Sequence, residues 1–189
     1  MHDASAKRWG APASWYRCDV LETPAELDGT ADLVYTGRGA LNWIMDIEAW
    51  AHVPARLLKP GGRLYIFEGH PIDWIWDANA TELRLDTEFG DYFDRQIHRG
   101  QGWPDTYIGA LDTPTEKLAV KCERQWTLGD VVNACIGAGL RVQRLEEHPD
   151  TYWNAHPNIQ ADVVRRLPNT YSLLLCKEFP SGDEGSRLR

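Results

Sequence analysis

One run limits the folding of this chain more than any other: Leu57-Leu-Lys-Pro-Gly-Gly-Arg-Leu-Tyr-Ile-Phe-Glu68. Arg63 to Glu68 is strongly apolar and suited to a strand buried on both faces, as in parallel sheets flanked by helices. Before it, residues 46–58 place Ile47, Trp50, Ala51, Pro54, Leu57 and Leu58 at i, i+3, i+4, i+7 spacing with one extension, which predicts an amphipathic helix with Asp46 as N-cap. Lys59-Pro60-Gly61-Gly62 is expected to end that helix. Pro54 removes one hydrogen bond at a cost of ~3 kcal/mol, which predicts a kink or break near Trp50–Val53. Asp32 to Thr36 reads as an earlier strand, and Gly37-Arg38-Gly39 as the turn after it. Strand, helix, turn and strand form a βαβ unit, whose right-handed crossover makes the two strands parallel neighbours.

The rest of the chain is organised around that unit. Residues 1–9 read as the end of a helix stopped by Gly10 and Pro12, and Ser14 to Val20 as a short strand. Residues 69–116 lack a helical period and hold Trp74, Trp76, Phe89, Tyr92, Phe93, Trp103 and Tyr107 among many Asp, Gly and Pro. Lys117 to Trp126 alternates like a strand. Thr127-Leu-Gly-Asp130 resembles a capping box, opening a helix that buries Val131, Val132, Ala134, Cys135 and Ala138 and stops at Gly137 and Gly139. Leu140 to Leu145 predicts a half-exposed strand and Tyr171 to Cys176 a last apolar one. The expectation is one domain over residues 1–178, with an aromatic-rich insertion at about 69–126 and a disordered tail at 179–189.

Composition narrows the function classes. Acidic side chains outnumber basic ones 28 to 20, a net charge of −8 that opposes a phosphate-dominated grip on nucleic acid. No apolar run reaches the roughly 18 residues of a membrane span, and the polar N-terminus lacks a signal peptide's apolar stretch. Cys18, Cys122, Cys135 and Cys176 lie far apart, with no CxxC; three of them sit in apolar runs and read as reduced core thiols of a cytoplasmic protein. The six histidines show no metal-ligand spacing, so no metal is expected. His70 and Asp73, just after the apolar strand, could coordinate something or act as a base. Gly37-Arg-Gly39-Ala-Leu-Asn42 nearly matches the dinucleotide fingerprint, with Asn42 at the third glycine, and leaves open either an NAD(P) site or only a sharp turn. The Trp74–Trp126 segment could line an apolar pocket, pack as a lid on the sheet, or both.

Asp32-Leu-Val-Tyr-Thr36, the helix after it and the Leu57–Glu68 run together resemble the class I S-adenosylmethionine-dependent methyltransferases. Cys18-Asp19-Val20 resembles the family's adenine-binding segment, and Trp126–Ala134 with Ala138–Val142 its late helix and strand. The resemblance covers about residues 1–178 and implies an α/β fold: an incomplete Rossmann-like sheet, mostly parallel, with an antiparallel last strand at Tyr171–Cys176. The family's acidic, Gly-rich cofactor loop and its second strand have no counterpart here. The chain is thus expected to begin inside the helix after that second strand. Ser14–Val20 would then pair directly with Asp32–Thr36, pair with another chain, or stay an exposed edge. By resemblance, S-adenosyl-L-methionine is the cofactor: Asp19 and Val20 would hold adenine, while Thr36, Gly37 and Leu41 would border the methionine part. Glu68, His70, Trp74 and Trp76 would face a small-molecule acceptor, with His70 as the candidate base. Absence of the loop weighs against efficient turnover by this chain alone. The alternatives are a non-catalytic, partner-binding remnant, completed by a second copy or another chain, and the NAD(P)-binding reading.

Overall fold

The structure, a computed structural model, describes residues 13–101 and 113–179. In chain order the regular elements are β1 (Ala31–Gly37), α1 (Ile47–Leu57), β2 (Leu58–Gly69), β3 (Ile97–Gln101), β4 (Val120–Arg124), α2 (Leu128–Gly137), β5 (Leu140–His148), α3 (Ala161–Val164) and β6 (Thr170–Lys177). β1, α1 and β2 realise the βαβ unit, with Val34 opposite Leu64 and Gly37 opposite Phe67 in a parallel pair. The main sheet has the order β1-β2-β6-β5. β6 is antiparallel to both of its neighbours, so β1, β2 and β5 run one way and the last strand runs against them. This is the incomplete sheet expected, with its antiparallel last strand, but it is mixed rather than mostly parallel, since β1–β2 is the one parallel pairing of its three. β3 and β4 pair antiparallel as a separate two-stranded ribbon.

Alternation along the strands sends Leu64, Ile66, Leu173 and Leu175 to one face, where each is fully buried. Trp50, Ala51 and Ala55 from α1 and Val131, Ala134 and Cys135 from α2 close over them in one core. Burying a side chain of leucine size contributes roughly 1.5–3 kcal/mol, so these four strand residues anchor the layer. On the opposite face Leu33 and Tyr35 remain 60% and 55% exposed. Both described helices that pack on the sheet thus lie on one side of it.

Local chemistry explains where each helix starts. The Asp46 carboxylate accepts from Ala49 N at 2.9 Å and caps α1 as expected. Thr127 and Asp130 form a reciprocal capping box at the start of α2, and Gly139 follows that helix with φ 82°.

Four further expectations need correction. Pro54 does not break α1, which runs unbroken from Ile47 to Leu57. The ring is buried on the same face as Trp50 and Val53, so packing offsets the hydrogen bond it removes. Lys59–Gly62 does not form a turn between elements; β2 begins directly at Leu58, and the run is an irregularity in pairing between Ala31↔Leu58 and Leu33↔Arg63. Ser14–Val20 is not a strand. It is exposed and irregular, with Trp15 at 74% exposure, ending in a 3-10 turn over Val20–Glu22. Aromatic and β-branched residues make a strand only where a neighbour takes their backbone groups, and no strand among the described residues takes these. Cys18, in that segment, is exposed, while Cys135 is buried and Cys122 and Cys176 are intermediate; all four thiols are free.

β5 also continues three residues beyond the alternating stretch, because Glu146, Glu147 and His148 pair with Ser172, Tyr171 and Thr170 of β6. The expectations for residues 1–12, Trp103, Tyr107 and 180–189 lie outside the described residues. Among the described residues no helix is long and apolar enough to cross a membrane.

Candidate functional site

The carboxyl ends of β1 and β2 meet a turn with two successive residues in the left-handed region. Arg38 and Gly39 adopt φ 62° and 91°, which bends the chain back as β1 ends. Arg38 N–H donates to the Phe67 carbonyl at 2.8 Å, tying the turn to β2. The next two amides are satisfied by a side chain: Gly39 N–H and Ala40 N–H donate to the Glu68 carboxylate at 2.5 and 3.0 Å. Glu68 is only 4% exposed. Burial pushes its carboxyl above the ordinary glutamate range, and the backbone donors of Gly39, Ala40 and Leu41 oppose that rise.

This turn is the floor of a cavity of about 340 Å³. One wall is Glu123 to Trp126, at and just beyond the end of β4, fixed to the segment before α1. Arg124 donates to the Met45 carbonyl at 2.8 Å and Trp126 Nε1–H to the Ile44 carbonyl at 2.8 Å. The Arg124 guanidinium also lies over the Trp126 ring at 4.3 Å. A second wall is Thr151–Trp153, in the connection from β5 to β6. Asn169 staples that connection by donating to the carbonyls of Pro149, Val164 and Leu167. Tyr152 O–H reaches the Phe67 carbonyl at 3.4 Å, and burial raises its phenol so that it stays protonated.

The third wall is the 3-10 turn Pro71–Ile75, opened by His70, whose Nδ1 accepts from Ile72 N–H at 3.1 Å. Within it Asp73 lines the cavity, and its Oδ1 receives His156 Nε2–H at 2.8 Å. Trp43 and Trp74 add aromatic surface. Two buried polar atoms of lining residues have no partner, the acceptor Asn42 Oδ1 and the donor Arg124 Nε.

The expected site residues are thus only partly gathered. Leu41, Glu68 and Trp74 line the cavity. Thr36 and Gly37 end β1 just before the floor turn and are not in its lining. Asp19 and Val20 stand apart from it: the Asp19 carboxylate caps Leu21 N–H at 2.9 Å, and the turn it caps packs on α1. His70 and Trp76 are not in the lining either. His70 Nε2 lies 3.0 Å from Glu147 Oε1 on β5; burial holds its imidazole below the ordinary value although that carboxylate pulls the other way. His156, Asn169 and Tyr152 carried no sequence signal, because their roles depend on chain segments far away.

The geometry bears on the NAD(P) reading. A dinucleotide fingerprint works by leaving backbone amides free for a pyrophosphate at a helix N-terminus. Here the amides of Gly39 and Ala40 already hold a carboxylate, and α1 begins only at Ile47. A phosphate at that turn would meet Glu68.

No protein-family model and no curated protein matches this chain. Solved structures do. A protein of Listeria monocytogenes described as an S-adenosylmethionine-dependent methyltransferase superposes with TM-score 0.62 at 13% identity, over 92% of this chain and 74% of its own. An S-adenosylmethionine-dependent methyltransferase of Mesorhizobium loti gives TM-score 0.56 at 19% identity, over 91% of this chain and 74% of its own. The [4+2]-cyclase SpnF gives 0.52 at 13% identity, over 93% of this chain and 60% of its own. The chain therefore has the α/β fold of the S-adenosylmethionine-dependent methyltransferases. One protein with that fold is named as a cyclase, so the fold leaves the reaction to be argued from the site.

Proposed function

We propose that this chain serves S-adenosylmethionine-dependent methyl transfer to a small-molecule acceptor. The observation that carries the reading is the position and character of the cavity. It opens at the carboxyl ends of β1 and β2, where open α/β sheets bind ligands, and combines aromatic walls with a few polar groups. S-adenosylmethionine, when bound, supplies an electrophilic methyl group on a sulfonium. By resemblance, Thr36, Gly37 and Leu41 border its methionine part, and Asp19 and Val20 its adenine. Of these, Leu41 lines the cavity, so the fit to the cofactor is partial within the described residues. Trp43, Trp74 and Tyr152 exclude water around the acceptor, and the stapled wall holds it in place. The net charge of −8 favours a small molecule over nucleic acid as acceptor.

A second reading has its own observation. Leu33 and Tyr35 are exposed on the uncovered sheet face, and β1 is an edge strand among the described residues. A partner-binding remnant of the same fold, joined to a second copy or another chain there, accounts for both.

Calorimetric titration with S-adenosylhomocysteine, with NAD as control, separates these readings. Micromolar binding of the former and none of NAD supports the methyl-transfer reading. A folded chain that binds neither refutes it for these residues and favours the partner-binding one.

A further inference from the structure

We propose that the cavity takes an organic cation, an ammonium group carried on an apolar body, and that Asp73 holds the charge. In the reading above this ligand is the methyl acceptor through a group on its apolar body, since a protonated nitrogen has no lone pair to attack with. The proposal rests on that reading for its role though not for its binding.

Most charged groups around the cavity are already committed within the chain. Glu68 serves the Gly39 and Ala40 amides. Glu123 pairs with Lys121 at 3.1 Å, and Arg124 serves the Met45 carbonyl and the Trp126 ring, with only its Nε left unpartnered. Asp73 differs. Its Oδ1 is fixed by His156, whose side chain is 3% exposed and lies outside the cavity lining. A ring nitrogen facing a carboxylate donates to it, so His156 orients Asp73 and leaves Oδ2 with no side-chain partner among the described residues.

Asn42 Oδ1, the buried acceptor without a partner, is a second unused acceptor of the lining. An ammonium group offers several N–H donors to such acceptors, whereas a hydroxyl has one donor to offer. Trp74 supplies an aromatic face that attracts a cation electrostatically, whereas the Trp43 ring already has Lys121 Nζ at 6.0 Å. The opposing charges of the lining are Arg124 and, less committed, Arg38. The Arg38 guanidinium lies over the Tyr152 ring at 5.8 Å, and it also lines the neighbouring, more open hollow beside Phe67 and His148, so the test includes an anion.

Three probes of one shape decide the matter on the unmodified chain: benzylamine, benzyl alcohol and benzoate, titrated near neutral pH with tryptophan fluorescence as readout. Benzylamine is expected to bind about tenfold or more tighter than benzyl alcohol, as a charge-assisted hydrogen bond implies, with benzoate weakest. Asp73→Asn should erase the preference. His156→Leu should weaken it, and His156→Gln, which keeps a donor, should restore much of it. Equal binding of amine and alcohol, tighter binding of benzoate, no saturable binding of benzylamine, or an intact preference in folded Asp73→Asn each overturns the proposal. Cation preference without S-adenosylhomocysteine binding would sink the methyl-transfer reading and leave this one; the reverse result would do the opposite.

Discussion

Gly37→Ala tests whether the floor of the cavity is as tightly built as described. A Cβ at Gly37 would lie 2.4 Å from the Phe67 carbonyl oxygen on the neighbouring strand and 2.7 Å from the Tyr35 hydroxyl. The hydroxyl ends a flexible side chain and can move. The carbonyl cannot, because it is the backbone of β2 and already accepts from Arg38 N–H at 2.8 Å. Ordinary contact needs about 1 Å more, so β1 and β2 must part at their carboxyl ends. Overpacking of this kind costs about 1–3 kcal/mol, and loss of the Arg38 bond adds about 0.5–1.5 kcal/mol. The expected destabilisation is therefore about 1.5–4.5 kcal/mol. Urea unfolding followed by circular dichroism reads it: with a slope of about 2 kcal/mol/M the midpoint falls by about 1–2 M. Gly137→Ala is the counterpart, at the last residue of α2, where a Cβ meets nothing within 4 Å. It should raise stability by up to about 1 kcal/mol. If Gly37→Ala unfolds within about 0.5 kcal/mol of the parent, the reasoning fails, since β1 and β2 would then have slack at the site.

His70 gives a pH dependence. Burial lowers its folded-state pKa below the ordinary imidazole value, so the unfolded chain binds more protons, and stability rises with pH through the window from the folded value up to about 6.5. His70→Gln, which can still accept from Ile72 N–H, should flatten the acid side of the stability curve in urea titrations between pH 5 and 7. An unchanged slope would show that His70 does not titrate differently on folding. The cysteines should separate by reactivity: exposed Cys18 should react with a thiol reagent in the folded chain, whereas Cys135, fully buried and pushed up to about 12, should react only after unfolding. Mass spectrometry of the labelled peptides reads both sites, and early labelling of Cys135 would contradict the packing of α2.

The range over which each interaction acts explains how much was legible in the sequence. The βαβ unit could be read because its signals are local: a helical apolar period capped by Asp46, then the apolar run ending at Glu68. The antiparallel last strand was legible only through resemblance, and the pairing of β6 bears it out. β3 escaped because Ile97-His-Arg-Gly-Gln101 has one apolar residue, exposed at 41%, and exists as a strand only by pairing with β4. Ser14–Val20 misled in the opposite sense, with strand-forming residues but no pairing strand among the described residues. Leu41, Glu68 and Trp74, named from the resemblance, line the cavity, and each comes just after a strand or near the end of one. Asp73 was marked beside His70 just after the apolar strand, but its pairing with His156 was not, since 83 residues separate the two.

The Glu68 carboxylate under the Gly39–Ala40 turn carries a consequence for how the chain assembles. Donor and acceptor are 28 and 29 residues apart, so no local segment can form this contact. A helix such as α1 can form within about a microsecond, but the turn gains its cap only after the crossover closes and β1 meets β2. Side chains alternate along a strand, so a slip of one residue would carry Glu68 to the opposite face and strand both amides. The penalty for burying those groups unpaired, about 1–3 kcal/mol for each, then falls on the wrong alignment alone. A carboxylate that is costly to bury in the native state thus acts as a proofreader of strand alignment, and the floor of the cavity exists only in chains that have passed it.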